Sequence, residues 1–188
     1  MRVMRVAFAV ALGCGLAVAW AGPGALADSG PGGGGGRDGG GGVRDVQVRD
    51  DCDPATFNAQ LGGGACVGNG DTTFAQFQAR LNPTDFGDGH WKFNPDRSDI
   101  HRGEALHPFN RGGETHTFTP VAQFGAGCVA PLNQPLGLTD PPVADCSTVL
   151  TTTALAPGQS RTLTNLAPGV HRYQCMIHPW MRSTITVR

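Results

Sequence analysis

From about His90 to the end of the chain, polar and apolar residues alternate over short segments that are separated by Gly, Pro and Asn. The last segment, STITVR, alternates strictly, with Ile185 and Val187 on one face. A period of two is typical of a strand that covers a core with one face. Several short strands of this kind predict an all-β fold, an antiparallel β-sandwich with Greek-key connections over residues 90–188. The candidate strands are 90–94, 104–110, 115–121, 147–155, 160–166, 169–175 and 183–188.

Residues 51–89 have a helical pattern instead. Asp53 and Pro54 precede ATFNAQL, as a capping residue and a first-turn proline would. Further on, Phe74, Phe77 and Leu81 stand at i, i+3 and i+7, which is a helical stripe. We therefore predict a short helical extension, with no chemistry of its own, that packs on the sandwich.

The first 27 residues have the layout of a secretory signal. Arg2 and Arg5 precede an apolar run from 6 to 21, and Ala25-Leu26-Ala27 supplies the small residues of a cleavage site. The apolar run is short for a membrane span, so we expect no span. The sequence predicts export, either to a periplasm or to the extracellular space or cell surface.

A glycine-rich tract follows the signal. Residues 30–42, GPGGGGGRDGGGG, offer almost nothing that can be buried. Chains of this composition remain flexible because they cannot offset the entropy of ordering. We predict that residues 28–50 form a disordered linker.

Charge excludes some partners. Without Arg2 and Arg5 the formal net charge falls from −1 to −3, and the chain has no basic tract. A nucleic-acid partner is therefore not expected. Nothing in the pattern calls for an oligomer, and we expect a monomer.

The number of cysteines is informative. Five of the six cysteines remain once the signal is removed, and an exported protein sits where disulfides persist. Pairing by proximity in the sequence gives Cys52–Cys66 and Cys128–Cys146, each worth roughly 3 kcal/mol. Cys175 is then left without a partner.

Cys175 lies in YQCMIHPWM, where it is followed by His178 and Met181 in the loop between the last two predicted strands. Two histidines, one cysteine thiolate and a distant thioether form the ligand set of blue-copper sites. A second histidine must come from elsewhere. His116 follows a glycine-rich turn in GGETHTFT and is the first candidate, and His107, followed by Pro108, is the second.

With these motifs, residues 90–188 resemble the cupredoxins, the plastocyanin-like and amicyanin-like type 1 copper proteins. The resemblance rests on NRGGETHTF and on GVHRYQCMIHPWMRSTITV. It implies one type 1 copper ion held by His116, Cys175 and His178, with Met181 as the axial ligand. It also implies a carrier that shuttles single electrons between redox proteins and is not an enzyme.

The resemblance further implies where a redox partner docks. In the family the edge of the histidine that corresponds to His178 usually reaches the surface in an apolar patch, here provided by Pro179 and Trp180. The chain departs from the family at Thr117, where many members have Asn, and in the long loop 121–146.

Several alternatives stay open at this point. Trp180 is as well suited to packing inward as to meeting a partner. The ligand set does not separate an electron shuttle from a copper carrier or store. Cys175 could be a nucleophile paired with His178, or a buried spare thiol with Met181 in the core. An enzyme of the copper nitrite reductase type would need a second copper cluster, which the sequence does not offer.

Overall fold

A computed structural model describes residues 41–188, in which strands contain more residues than helices do. The predicted signal segment and residues 28–40 of the predicted linker lie outside the described residues. The strands are β1 (Val43–Arg49), β2 (Lys92–Asn94), β3 (Arg97–Ile100), β4 (Ala105–Asn110), β5 (His116–Thr117), β6 (Thr119–Val121), β7 (Ala154–Leu155), β8 (Gly169–Gln174) and β9 (Arg182–Val187). The helices are α1 (Pro54–Leu61), α2 (Phe74–Ala79), α3 (Ala130–Asn133) and α4 (Cys146–Thr152), with a 3₁₀ turn at Gln134–Leu136.

Two main sheets form the β-sandwich. One has the order β2-β1-β4 and the other β3-β9-β8-β6, while β5 and β7 form a separate short pair. The apolar faces of both main sheets contribute to one core, which contains Val48 and Leu106 from the first and Tyr173 and Ile185 from the second. We predicted purely antiparallel sheets, and this was wrong. Both sheets are mixed, because β1 runs parallel to β4 and β3 runs parallel to β9.

Strand β1 lies within the segment predicted to be linker. Val46 and Val48 are buried while Arg49 is exposed, so this strand alternates like the others. It is the central strand of its sheet, hydrogen-bonded to β2 on one side and β4 on the other. The linker prediction was therefore wrong for residues 43–49. Their alternating pattern is short and directly follows the glycine-rich tract, so it was assigned to the same linker.

The segment 147–155, predicted as a strand, is mainly helix α4. Its β-branched residues favour a strand, yet the Asp145 side chain accepts a hydrogen bond from the Ser147 amide and caps the helix. The hydroxyl groups of Thr152 and Thr153 donate to the carbonyls four residues earlier, at 2.7 Å each. These local bonds give the two threonine hydroxyl groups partners within the helix.

The segment 160–166 forms isolated bridges and not the predicted strand. It meets β4 at Leu163, opposite Leu106, and at Ser160, opposite Phe109. Between these points the Arg161 amide donates to the Pro108 carbonyl at 3.0 Å. Because Pro108 has no N–H that could donate in the other direction, the ladder of hydrogen bonds is interrupted there.

Helices α1 and α2 belong to the same compact unit as the sheets. The Asp53 side chain caps α1, and Thr73 with Gln76 forms a capping box on α2. Disulfides join Cys52 to Cys66 and Cys128 to Cys146. No helix within residues 41–188 is both long and apolar enough to cross a membrane.

Candidate metal centre

Two parts of the chain meet at one end of the sandwich. Strand β5 carries His116, and the loop between β8 and β9 carries Cys175 and His178. Their exposed fractions are 0%, 0% and 3%. The Nδ1 atoms of both histidines and the Cys175 Sγ atom form one group that could hold a metal ion. The structure thus brings together three of the four predicted ligands as a compact set of donors.

The spacing of these donors fits a metal of the first transition row. The two Nδ1 atoms are 3.2 Å apart, and each lies 3.9 Å from Cys175 Sγ. A point in their plane lies roughly 2.1 Å from all three atoms, a usual length for metal bonds to imidazole nitrogen and thiolate sulfur. Two imidazoles and a thiolate in one plane are the trigonal set that copper takes in blue-copper centres.

Backbone hydrogen bonds close the loop that holds the C-terminal donors. The Cys175 amide donates to the Met181 carbonyl and the Met181 amide to the His178 carbonyl, at 3.0 Å each. Met181 is completely buried in this closed turn. Its role as axial ligand stays a prediction.

The Cys175 sulfur accepts two amide hydrogen bonds. The donors are the amides of Thr117 and His178, each 3.4 Å from Sγ. The Thr117 hydroxyl also accepts from the Met176 amide at 2.7 Å. Thr117 therefore connects β5 to the loop through both its amide and its side chain, at a position where the sequence departs from the family that it resembles.

Both imidazoles face carboxylates on the side away from the sulfur. His116 Nε2 lies 2.8 Å from Asp50 Oδ2, and both side chains are buried. His178 Nε2 lies 3.7 Å from Glu114 Oε2, which accepts a hydrogen bond from Trp91 Nε1 at 2.5 Å. The first contact is a direct hydrogen bond, while the second is an ion-pair distance only.

The buried charges shift several pKa values. Burial favours the neutral forms, but hydrogen bonds to Asp50 and Cys175, and their charges, raise the pKa of His116 to about 9. Burial likewise raises the pKa of Cys175, yet hydrogen bonds from His116 and His178 outweigh it and lower this pKa well below its ordinary value. Burial raises the pKa of Glu114. The lowered pKa of Cys175 favours the thiolate, which is the form that binds metals.

Aromatic rings cover His178. We call Phe77 (on α2), Trp91 and Trp180 the aromatic cap, and their ring centroids lie 6.1, 6.5 and 5.4 Å from the imidazole. Trp180 donates its indole N–H to the Asp88 carbonyl at 3.0 Å. It also packs against Gly87, where a Cβ would lie 2.3 Å from the indole ring and φ is +99°.

The exposed histidine edge that the resemblance implies is not present here. His178 and Pro179 are buried, and Trp180 is half-buried. Trp180 shares features of both alternatives, because its ring packs against Phe77 and His178 while the residue stays partly exposed. The extension, predicted to have no chemistry, contributes Phe77 to this cover.

The other histidines lie in different settings. His107, the alternative remote ligand, pairs with Asp45 at 2.9 Å and is outside the group of donors. His90 contacts Asp88, and His171 contacts the Ala167 carbonyl. Asp50, Glu114 and Cys52 also lie close together, but Cys52 is used in a disulfide.

Sequence reasoning missed Asp50 and Glu114. Glu114 stands in the GGETHTF motif itself, so its position two residues before His116 was a usable signal. Asp50 follows an alternating VQVR segment, which could have indicated a strand that ends in a carboxylate. Its contact with His116 spans 66 positions and could not be read from spacing.

Comparisons with known proteins give structural neighbours only. No protein-family model matches the chain, and no curated protein matches it either. A purple cupredoxin from Nitrosopumilus maritimus is similar at 16% identity over 57% of this chain and 95% of its own, with a TM-score of 0.37. Oxidised plastocyanin from Dryopteris crassirhizoma is similar at 18% identity over 77% of this chain and 100% of its own, with a TM-score of 0.38.

A mutant amicyanin in its reduced state is similar at 20% identity over 52% of this chain and 73% of its own, with a TM-score of 0.33. Similarity at this level does not establish a function for this chain. Its function has to be inferred from the arrangement of its own residues.

Proposed function

We propose that the protein is an exported, mononuclear type 1 copper protein that shuttles single electrons between redox partners and has no enzyme activity of its own. The observation that carries the proposal is the buried triangle of His116 Nδ1, His178 Nδ1 and Cys175 Sγ. Met181, in the same loop, is the proposed axial ligand.

The donor set favours copper over other metals. Thiolate and thioether ligands are soft, and two imidazoles with one thiolate suit copper in both of its common oxidation states. A structural zinc site normally has four nitrogen, thiolate or carboxylate ligands, and a thioether is not among them. When bound here, copper would supply one-electron redox chemistry.

The residues around the site restrict rearrangement between oxidation states. The amides of Thr117 and His178 donate hydrogen bonds to the Cys175 sulfur. Backbone hydrogen bonds between Cys175, His178 and Met181 close the loop. Both imidazoles are packed and buried. Ligands that cannot move far keep the reorganisation small, which is what rapid electron exchange requires.

Trp180 is the proposed route to a partner. Its indole ring lies 5.4 Å from the His178 ring and is itself half-buried, so it connects the imidazole with the surface. We therefore place partner docking over Trp180, next to the buried Pro179 in the sequence, and not on the His178 edge itself. The partner is a redox protein.

Burial also bears on the alternative of a copper carrier or store. All three ligand residues are covered, and the aromatic cap blocks the approach of a copper acceptor to His178. A carrier that must give up its ion works better with an open site. Export by the segment 1–27 is part of the proposal, and the two disulfides suit an oxidising compartment.

The test is redox cycling of residues 28–188 loaded with one equivalent of copper. Ascorbate would reduce the protein and hexacyanoferrate(III) would oxidise it, while copper content is measured after each cycle with a chelator present. A shuttle passes one electron per copper and keeps its ion through many cycles. Loss of copper to the chelator within the first cycles would instead identify a carrier.

A further inference from the structure

Strand β1 ends at the metal centre. Asp50 follows β1 directly, and its Oδ2 atom lies 2.8 Å from His116 Nε2, with side-chain exposures of 1% and 0%. His116 Nδ1 faces Cys175 and His178, so it must offer a lone pair to any metal between them. An imidazole that gives Nδ1 to a metal carries its proton on Nε2, where a carboxylate can accept it.

The Asp50 carboxylate is itself held by the chain around it. Its oxygens accept from the amides of Gly113 at 2.9 Å, Glu114 at 3.0 Å and Cys52 at 3.3 Å. A Cβ at position 112 would lie 1.9 Å from Asp50 Oδ2, so only glycine fits there. Gly112, the first glycine of the GGETH motif, therefore lets the turn before His116 approach this carboxylate closely.

The two histidines are not equivalent in this respect. His178 has no such hydrogen bond, because Glu114 Oε2 is 3.7 Å from its Nε2 and accepts from Trp91 instead. A negative charge that is hydrogen-bonded to one imidazole increases the basicity of that imidazole as a metal ligand. It also favours the ion with the higher positive charge.

We propose that Asp50 is the positioning residue of His116: it holds the Nε2 proton, aims Nδ1 at the metal, and stabilises Cu(II) relative to Cu(I). This inference rests on the proposed function for its redox part. Its geometric part concerns the protein alone.

The redox part is tested with Asp50→Asn, which removes the charge and keeps the size. Asp45→Asn is the matched control, because Asp45 also pairs with a histidine, His107, at 2.9 Å but on the surface. Affinities for Cu(II) and Cu(I) are measured separately by competition with chelators, and the reduction potential by voltammetry. We expect Asp50→Asn to weaken Cu(II) binding about 10- to 100-fold and Cu(I) binding less.

The potential of Asp50→Asn should therefore rise, while Asp45→Asn leaves it unchanged. Equal losses for both ions would overturn the proposal, because a purely structural role weakens both alike. A rise in the control variant would overturn it as well.

The geometric part needs no variant and no metal. In the ¹⁵N-labelled metal-free wild type, nuclear magnetic resonance should show a slowly exchanging proton on His116 Nε2. A bare Nε2 would contradict the positioning role even if Asp50→Asn failed to fold. If the wild type bound no copper, the proposed function would fail, whereas this measurement would still decide what Asp50 does to His116.

Discussion

Among single residues, Thr117 makes the most unexpected contribution to the metal centre. Its amide donates to Cys175 Sγ and its hydroxyl accepts from the Met176 amide, so one residue joins β5 to the ligand loop twice. The sequence departs here from the family that it resembles, in which many members have asparagine. In this chain a buried threonine makes both hydrogen bonds.

Changing Thr117 to Val should destabilise the protein. Valine has nearly the same shape but leaves the buried Met176 amide without an acceptor, a loss of about 1–3 kcal/mol. Urea unfolding of the metal-free protein measures this change in the free energy of unfolding. Thr139→Val, at an exposed hydroxyl, is the control and should stay within about 0.5 kcal/mol of wild type. Equal midpoints for the two variants would show that the hydroxyl does not join the two segments.

The axial ligand can be tested with two methionines. Met181→Leu should change the visible spectrum and the reduction potential of the copper form, because the proposed axial thioether is lost. Met176→Leu is the matched control, since Met176 is equally buried and its sulfur accepts from Gln174 Nε2 at 3.9 Å. A spectrum that changes in Met176→Leu and not in Met181→Leu would show that Met176, and not Met181, is the axial ligand.

At the scale of elements, helix α2 connects the extension to the metal centre. Phe77 is 3% exposed and packs against Phe57, Trp91, Trp180 and His178. The capping box formed by Thr73 and Gln76 fixes where the helix begins and therefore where Phe77 points. The extension is thus part of the cover over His178.

Phe77→Ala should both destabilise the protein and open the site. Removing a buried phenyl ring costs about 3–5 kcal/mol, and the cavity would lie next to His178. We expect faster removal of copper by a chelator, followed by the loss of colour. Phe124→Ala, a half-buried ring over Arg182, is the control and should leave the removal rate unchanged. Identical rates in both variants would mean that Phe77 does not seal the site.

Sequence patterns predicted some elements better than others. The strict alternation of 183–188, the capped start at Asp53 and the helical stripe that begins at Phe74 correspond to β9, α1 and α2. They failed at α4, where a helix capped by Asp145 forms despite the strand preference of its β-branched residues. They also failed at β1, whose place between β2 and β4 depends on partners more than 40 positions away in the sequence.

At the site, the loop from Cys175 to Met181 could be predicted because its donors are close in the sequence. His116 could be proposed from its turn and strand. Asp50 and the aromatic cap could not, because they depend on how β1 and α2 pack against that end of the sandwich. Packing between distant segments leaves no spacing pattern to follow.

For the whole molecule, metal binding and folding should be coupled. The donors come from positions 116, 175 and 178, so the site exists only when β5 and the last loop are together. A ligand that binds the folded state alone stabilises it by about 4 kcal/mol when its free concentration is 1,000 times Kd. We expect Cu(I), added without oxygen, to raise the melting temperature of the wild type. An equal rise in Cys175→Ser would show that copper acts elsewhere.

The most direct test of the copper site is spectroscopic. Residues 28–188 would be loaded with Cu(II), and visible and electron paramagnetic resonance spectra recorded for wild type, Cys175→Ser, His116→Ala and His107→Ala. We predict an intense blue thiolate-to-copper band with small hyperfine splitting in wild type and His107→Ala, absent in Cys175→Ser and lost or strongly changed in His116→Ala. A colourless wild type, or a spectrum indifferent to Cys175, would contradict a type 1 copper centre at this site.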